Sequence, residues 1–159
     1  LAKLGPNEHR PMGSALKFMK EAVDLCTGCS DRTKYLLKAG QVASASGNHS
    51  QARSFANQVL QTDPKNGEAL MLIGNAIAAQ AGNCEVPDSW GAYWLAYDYY
   101  QRAKSLDPSV SEKANDRMAS CNGRFPSKEE LFFRSMKEGD DFQVNCGSTG
   151  ESTKVRAKK

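Results

Sequence analysis

At 159 residues the chain is long enough for one domain with a hydrophobic core and short for two. Hydrophobic residues make up 40% and charged residues 25%, as is typical of a globular protein, and no apolar run approaches the roughly 18 to 20 residues that span a bilayer. The net charge of +3 is supplied by residues 151–159 (four basic minus one acidic), so the remainder is neutral and lacks the basic face that would predict a nucleic-acid partner.

Two helix-turn-helix units follow one another in the middle of the chain. Asp63-Pro64 and Asp107-Pro108 each end a run with helical spacing, because a proline cannot continue a helix. In the first run, a turn at Gly47-Asn48 joins two amphipathic helices. Their apolar and small positions are Leu36, Ala39, Gly40 and Ala43 in one helix and Ala52, Ala56 and Val59 in the other.

The second unit repeats this pattern with an insertion. Its two prolines are 44 residues apart (108 minus 64), about ten more than a repeat of roughly 34 residues. We therefore expect an inserted segment near residues 81–91, between the paired helices. The helices carry Leu70, Ile73, Gly74 and Ile77, and then Ala96, Tyr100 and Ala103.

A third, degenerate unit begins at Ser109. Its first predicted helix, about residues 110–121, is polar and has Asn115-Asp116 where the earlier units have an apolar residue and glycine. Ser127 and Glu130 are spaced as a capping box, which predicts a second helix to about residue 138 with Gly139 as its C-cap.

Beyond Gly139 the pattern changes from helical to alternating. Phe142 and Val144 precede a turn, and Thr153 and Val155 follow it, which predicts a β-hairpin. Because an isolated two-stranded hairpin is marginally stable in water, we expect it to dock on the helices or to lend an edge to another chain.

The paired helices, with an apolar-Gly pair and small residues at these offsets, resemble the tetratricopeptide repeat. The resemblance implies an all-α superhelix of stacked helix pairs. It divides the chain into a partial unit (1–32), a repeat (33–66), a repeat with an insertion (67–108), a capping unit (109–138) and a hairpin with a basic tail (139–159). Ala15, Met19 and Ala22 match a second helix, and residues 1–5 the end of its partner, so we expect more repeats before Leu1.

Residues 92–156 also resemble, more narrowly, the C-terminal end of exported tetratricopeptide proteins of Gram-negative bacteria. The segments that carry this resemblance are residues 103–110, 125–133, 137–140 and 152–156. It implies a periplasmic or cell-envelope location, and five cysteines, many for a reducing cytosol, favour the same oxidising compartment. That group has no assigned enzymatic role, and its hairpin turn often carries a tryptophan where this chain has residues 146–149.

Repeat arrays hold extended peptides or helices on a concave face, which is lined by the first helix of each pair. Some tetratricopeptide proteins clamp a carboxylate there with Lys and Asn; Leu37 and Gln41 stand at those offsets, so such a clamp is not expected, while an acidic-peptide site stays open. The alternative is an ordinary solvated helix surface. By repeat offset we predict a partner-binding face with Lys34, Gln41, Met71, Asn75, Lys113 and Arg117, beside Leu37, Ser44, Glu68 and Ala78.

Cys26 and Cys29 form a C-x-x-C motif. In proteins this motif serves as a redox pair, as half of a zinc site or as a short disulfide. The pair follows a predicted helix C-terminus, where the helix dipole opposes a thiolate, and no further ligand motif predicts a metal site. We therefore favour a structural disulfide or free thiols. Cys84 and Cys121 lie at the ends of equivalent helices, which predicts a bridge between them, with Cys146 as a competing partner.

Aromatic residues concentrate in the insertion and the helix after it. One interpretation is packing, because Tyr93 and Tyr100 share a helical stripe with small residues. The other is an exposed anchor patch for a partner, formed by Trp90, Trp94 and Tyr97 at i, i+4 and i+7.

Motifs of catalysis, such as a nucleophile elbow, a Gly-rich phosphate loop or a zinc-protease helix, are missing from the sequence. We predict a non-catalytic protein-protein interaction module, without cofactor or metal, that holds a peptide or helix of a partner protein on its concave face. The alternatives are a structural component of a cell-envelope assembly, contacting through the hairpin, and a thiol oxidoreductase using Cys26 and Cys29.

Overall fold

The computed structural model describes residues 12–147 and 150–159; the predicted helix end at residues 1–5 and part of the hairpin turn, Ser148 and Thr149, lie outside that range. The described chain is mostly helical and ends in a two-stranded antiparallel sheet, which confirms a helical fold with a C-terminal hairpin. No helix in the described ranges has the length and apolar character needed to cross a membrane. The elements are α1 (Met12–Leu25), α2 (Arg32–Ala45), α3 (His49–Thr62), α4 (Gly67–Ala81), α5 (Asp88–Leu106), a 3-10 turn (Pro108–Val110), α6 (Ser111–Asn122), α7 (Lys128–Phe133), β1 (Asp141–Gln143) and β2 (Ser152–Lys154).

A tight turn joins α2 to α3 at the predicted Gly47-Asn48. Gly47 has a φ of +78°, in the left-handed region that glycine adopts without strain. The N–H groups of Gly47 and Asn48 bond the carbonyl oxygens of Ser44 and Ala43, which ends α2. The Asn48 side chain then caps α3, and α3 ends at Thr62, just before the proline that predicted its end.

The centre of the core is the contact between α4 and α5. Most of α4 is buried, and it touches α2, α3 and α5. Gly74 lets α5 come close, because a Cβ at this position would lie 2.6 Å from Cε1 of Tyr100. The Tyr100 ring is 1% exposed and its hydroxyl donates to Asn75 Oδ1 at 2.9 Å, so the ring is fixed from both ends.

The predicted insertion between α4 and α5 is partly helical. Only residues 82–87 link the two helices, because α5 begins at Asp88 and runs for 19 residues. Trp90 therefore lies on a helix and not in a loop. At its other end α5 stops before Pro108, and the Asp107 carboxylate accepts hydrogen bonds from Ser109 and from the N–H of Gly67 at the start of α4. These hydrogen bonds lower the pKa of Asp107, and the bond from the Ser109 hydroxyl has the largest effect.

The predicted helix from Ser127 to about residue 138 is wrong in its length. Its capping box is present, but α7 ends at Phe133. Ser135 adopts a φ of +55°, and the N–H groups of Ser135 and Met136 bond the carbonyl oxygens of Phe132 and Leu131. This left-handed C-cap normally uses glycine, so its serine gives no signal in the sequence, and Gly139 instead begins the hairpin with an N–H bond to the carbonyl of Val155.

The hairpin and the tail after it pack on α5. The Thr153 hydroxyl donates to Asp98 Oδ2 at 2.5 Å, and the Arg156 guanidinium forms an ion pair with the same carboxylate. Trp94 Nε1 donates to the carbonyl oxygen of Arg156 at 2.9 Å. Phe142, paired with Thr153 across the sheet, packs edge-on against Trp94 with ring centroids 5.4 Å apart. One stretch of α5 therefore anchors both strands and the tail.

Glu151 connects the same segment to a second helix. The Tyr99 hydroxyl donates to Glu151 Oε1 at 2.5 Å, and Arg53 of α3 lies 3.4 Å from Oε2. Burial, followed by this hydrogen bond, raises the pKa of Tyr99 well above its ordinary value. The phenol therefore stays a hydrogen-bond donor throughout the neutral range.

The substitution Gly74→Ala tests the close approach of α4 and α5. We expect the free energy of unfolding to fall by roughly 1 to 2 kcal/mol, because overpacking against Tyr100 outweighs the gain in helix propensity. Gly82→Ala is the matched control, since a Cβ there meets no atom within 4 Å. Chemical denaturation measures both, and equal stabilities of the two variants would contradict the packing described.

The substitution Asp98→Asn tests the anchorage of the hairpin. A neutral amide loses the ion pair to Arg156 and weakens the bond from Thr153, so we expect a loss of about 1 to 3 kcal/mol in unfolding free energy. Tryptic cleavage after Lys154 and Arg156 should become faster. The exposed Asp116→Asn of α6 should change neither quantity.

Candidate functional site

The predicted partner-binding residues lie on α2, α4 and α6, and we call this surface the α2–α4–α6 face. Lys34, Gln41, Lys113 and Arg117 are exposed, and Asn75 is half-buried. The structure brings them together in two groups, one in a pocket on α2 and one between α4 and α6. The face is thus a row of two polar sites and not one continuous cluster.

The α2 pocket has a volume of about 370 Å³ and combines positive charge with an apolar wall. Lys34 and Lys38 stand one helical turn apart on either side of the half-buried Leu37, and neither lysine forms an ion pair within residues 12–147 and 150–159. Residues 32–62 contain four lysine or arginine residues and no acidic residue. The lining consists of Ser30, Thr33, Lys34, Leu37, Lys38 and Gln41.

The second group lies where α4 and α6 flank the buried Tyr100. Burial first, and then the Cys121 thiol, raise the pKa of Tyr100 well above its ordinary value, while the positive charge of Arg117 acts in the opposite direction. Because the Tyr100 hydroxyl donates to Asn75 Oδ1, the Nδ2 group of Asn75 remains as a donor toward another partner. Lys113 forms an exposed ion pair with Glu68 at 3.3 Å, which is weak in water and exchangeable.

Met71, predicted on the same face, is wrong as a contact residue. Its side chain is 5% exposed and belongs to the hydrophobic core. The repeat offset predicts the helix face on which a residue lies. Because α2, α3 and α5 all pack against α4, few positions of α4 reach solvent, and position 71 is not one of them. A substitution such as Met71→Glu would unfold the chain before it reported on binding.

The exposed aromatic patch predicted from Trp90, Trp94 and Tyr97 is also wrong. Trp90 and Trp94 are 8% and 0% exposed, and Tyr97 is half-buried. The hairpin and tail return across this part of α5, and the guanidinium of Arg156 lies over the Tyr97 ring at 5.4 Å. The packing interpretation holds for all three residues, and the covering groups, Phe125, Arg134, Phe142 and Arg156, lie 28 to 62 residues further along the chain.

Two phenylalanines that the sequence pattern did not single out face solvent. Phe132 and Phe133 are 79% and 84% exposed on α7. The signal available in the sequence was their position directly after Leu131, because on a surface helix that buries one stripe, the two residues after a core residue point away from that stripe.

The predicted Cys84–Cys121 bridge is wrong, because Cys84 pairs with Cys146. Their Cα atoms are 6.0 Å apart, whereas Cys121 is a free thiol, 3% exposed in the core. The hairpin turn folds back over the end of α4 and brings Cys146 to the link before α5. The competing partner named from the sequence is thus the actual one.

Cys26 and Cys29 lie at disulfide distance after the C-terminal end of α1. Cys26 is 7% exposed and Cys29 is exposed. The negative end of the α1 dipole disfavours a thiolate on Cys26, which is the opposite of the helix N-terminus that activates redox cysteines. Two cysteine pairs at disulfide distance are compatible with an oxidising, exported location.

Thiol chemistry tests this pairing. Unreduced protein should gain one alkyl group after unfolding and none while native, because burial raises the pKa of Cys121 to about 11 and leaves little thiolate at pH 8. Proteolysis and mass spectrometry should recover a Cys84–Cys146 peptide, and Cys146→Ser should reduce the unfolding free energy by about 2 to 4 kcal/mol. Recovery of a Cys84–Cys121 peptide would contradict the assignment.

Comparison with models of known protein families and with curated proteins found no match to this sequence. No relative therefore supplies an activity or a set of site residues.

Proposed function

We propose that this chain is a tetratricopeptide-like repeat protein that holds an acidic segment of a partner protein on its α2–α4–α6 face, without catalysing a reaction. The observation that carries the proposal is the α2 pocket, in which Lys34 and Lys38 flank Leu37. Two charges beside an apolar wall suit a peptide that alternates carboxylates with apolar side chains. The phosphate backbone of a nucleic acid would pair with the two lysines, but it would offer no apolar group to contact Leu37.

The order of helix contacts supports the repeat part of the proposal. Each helix from α1 to α6 packs on the next in sequence, and α2 also touches α4. In a stack of helix pairs each unit rests only on its neighbours, and the first helices lie side by side. The α2 pocket and the donors of α4 and α6 would then lie in a row along the concave face.

Charge along the face supports an acidic partner. Residues 32–62 contain four basic residues and no acidic one, although Arg53 is paired with Glu151. Lys34 and Lys38 carry the charge of the α2 pocket, and Arg117 and the Asn75 amide add donors further along. A partner carboxylate that displaces Glu68 from Lys113 exchanges one exposed ion pair for another at little cost. The cysteine pairs favour a partner in the periplasm or cell envelope.

Charge reversal in the α2 pocket tests the proposal. A fluorescent peptide of alternating Glu and Leu should bind the native chain, and Lys34→Glu/Lys38→Glu should weaken it at least tenfold, about 1.4 kcal/mol. The control Lys17→Glu/Lys65→Glu changes net charge equally at exposed positions on α1 and in the α3–α4 turn. Arg117→Glu should have a smaller effect of the same sign.

A matched peptide of alternating Gln and Leu separates charge recognition from apolar adhesion. It should bind weakly to every variant, and added salt should weaken the acidic peptide but not the neutral one. Equal affinity for both peptides, or an equal loss in the control variant, would refute an acidic-segment site.

A further inference from the structure

The turn between α1 and α2 connects the Cys26–Cys29 pair to the α2 pocket. Ser30, which lines that pocket, directly follows Cys29, and Thr33, which also lines it, lies in the first turn of α2. We propose that the Cys26–Cys29 disulfide holds the α2 pocket in the shape that binds an acidic segment, so that reduction of this bond lowers the affinity of the site. The inference rests on the proposed function, because it concerns the regulation of the same pocket.

The first observation is that the backbone bonds of this turn are weak. The N–H groups of Cys29 and Arg32 reach the carbonyl oxygens of Cys26 and Cys29 at 3.4 and 3.3 Å, longer than an ordinary backbone hydrogen bond. Among the described residues, the Asp31 side chain makes no capping hydrogen bond to the first turn of α2. Gly28, with a φ of +78°, adds conformational freedom in the unconstrained chain. The disulfide is therefore a principal constraint on the turn.

The second observation is a side-chain hydrogen bond at the end of the same turn. Arg32, the first residue of α2, donates from its guanidinium to the carbonyl oxygen of Val23 at 2.7 Å, and Val23 is buried in the core. This bond attaches the start of α2 to α1. The disulfide in turn fixes the part of the turn that carries Cys29 and Ser30, and with it the end of the pocket that Ser30 lines.

The third observation is that this pair differs from the other one in access and in loop length. Cys29 is exposed, whereas Cys146 is buried and Cys84 is half-buried. The sequence separation is 3 for Cys26–Cys29 and 62 for Cys84–Cys146. A disulfide that closes a short loop adds less to global stability than one that closes a long loop. Reduction of Cys26–Cys29 should therefore loosen the turn and leave the fold intact.

Reduction of the pair is a thiol–disulfide exchange, for which a dithiol supplies the electrons. One thiol of the dithiol loses its proton to water and attacks Sγ of Cys29, the bond to Cys26 breaks, and the Cys26 thiolate takes up a proton. The second thiol of the dithiol then displaces Cys29 in the same way, and the Cys29 thiolate is protonated. The pair has gained two electrons and two protons, and the dithiol has been oxidised to its own disulfide.

The position of Cys26 just after α1 favours control of the pocket over catalysis. The negative end of the α1 dipole makes Cys26 a poor leaving thiolate, so exchange is slow and each redox state persists. A persistent state suits an oxidising compartment that keeps the pocket formed, and it does not suit rapid turnover of a substrate disulfide. The pair thus regulates binding without reacting with the partner.

Loss of the bond should act on affinity through the order of the turn. In the reduced chain residues 27–31 sample more conformations, and a partner that contacts the pocket has to order them again, which costs conformational entropy. Lys34 and Lys38 lie further along α2 and keep their charges. We therefore expect weaker binding of the acidic segment with an unchanged dependence on salt.

The test compares the oxidised full chain with Cys26→Ser/Cys29→Ser, using the fluorescent peptide of alternating Glu and Leu. The variant should bind at least about fivefold more weakly than the oxidised chain. Dithiothreitol, at a concentration at which mass spectrometry finds Cys84–Cys146 still oxidised, should weaken the native chain to the same level and leave the variant unchanged. Cys121→Ala, which removes the free thiol, is the matched control and should bind as the native chain does.

Hydrogen exchange reports on the turn without the peptide. The amides of residues 27–33 should exchange faster in Cys26→Ser/Cys29→Ser, while exchange in α4 and α5 stays the same, which shows that the fold is intact.

The outcomes separate this proposal from the proposed function. Equal affinity of the oxidised chain and the variant, unchanged exchange in the turn, or faster exchange throughout the chain would overturn the regulatory role and leave the proposed function in place. Failure of the oxidised chain to bind the peptide at all would overturn both.

Discussion

The close approach of α4 and α5 is the contact on which the other parts of this molecule depend. It requires Gly74, because the ring of Tyr100 occupies the space that any side chain there would need. Once the ring is in place, its hydroxyl holds the side chain of Asn75, a residue of the α2–α4–α6 face. A packing constraint inside the core thus sets the geometry of a polar group at the surface.

The opposite side of α5 organises the C-terminal end. Asp98 binds Thr153 and Arg156, Trp94 binds the backbone of Arg156, and Tyr99 binds Glu151. These half-buried polar contacts stabilise each other, because removing one partner leaves another without its hydrogen bond in a poorly solvated place. The Cys84–Cys146 pair adds a covalent connection at the hairpin turn. The hairpin therefore completes the helical core and covers the tryptophans of α5.

Charge is distributed unevenly over a chain whose total charge is small. The α2–α3 segment is positive, and residues 128–141 are negative. A net charge near neutrality hides this separation, because opposite contributions cancel in the sum.

The sequence by itself determined the central helices and the hairpin, because these follow from local rules: proline ends α3 and α5, Gly47 turns the chain, and alternation marks β1 and β2. It did not determine where α5 begins or where α7 ends, because the left-handed C-cap of α7 is a serine. It also placed Lys34, Gln41, Lys113 and Arg117 on exposed helix surface. Only the tertiary structure decided that Met71, Trp90 and Trp94 are buried, that Cys146 and not Cys121 pairs with Cys84, and that Phe132 and Phe133 are exposed. The physical reason is range: helix caps and periodicity act over a few residues, whereas burial and disulfide pairing depend on segments about 50 to 60 residues away that fold back over α4 and α5.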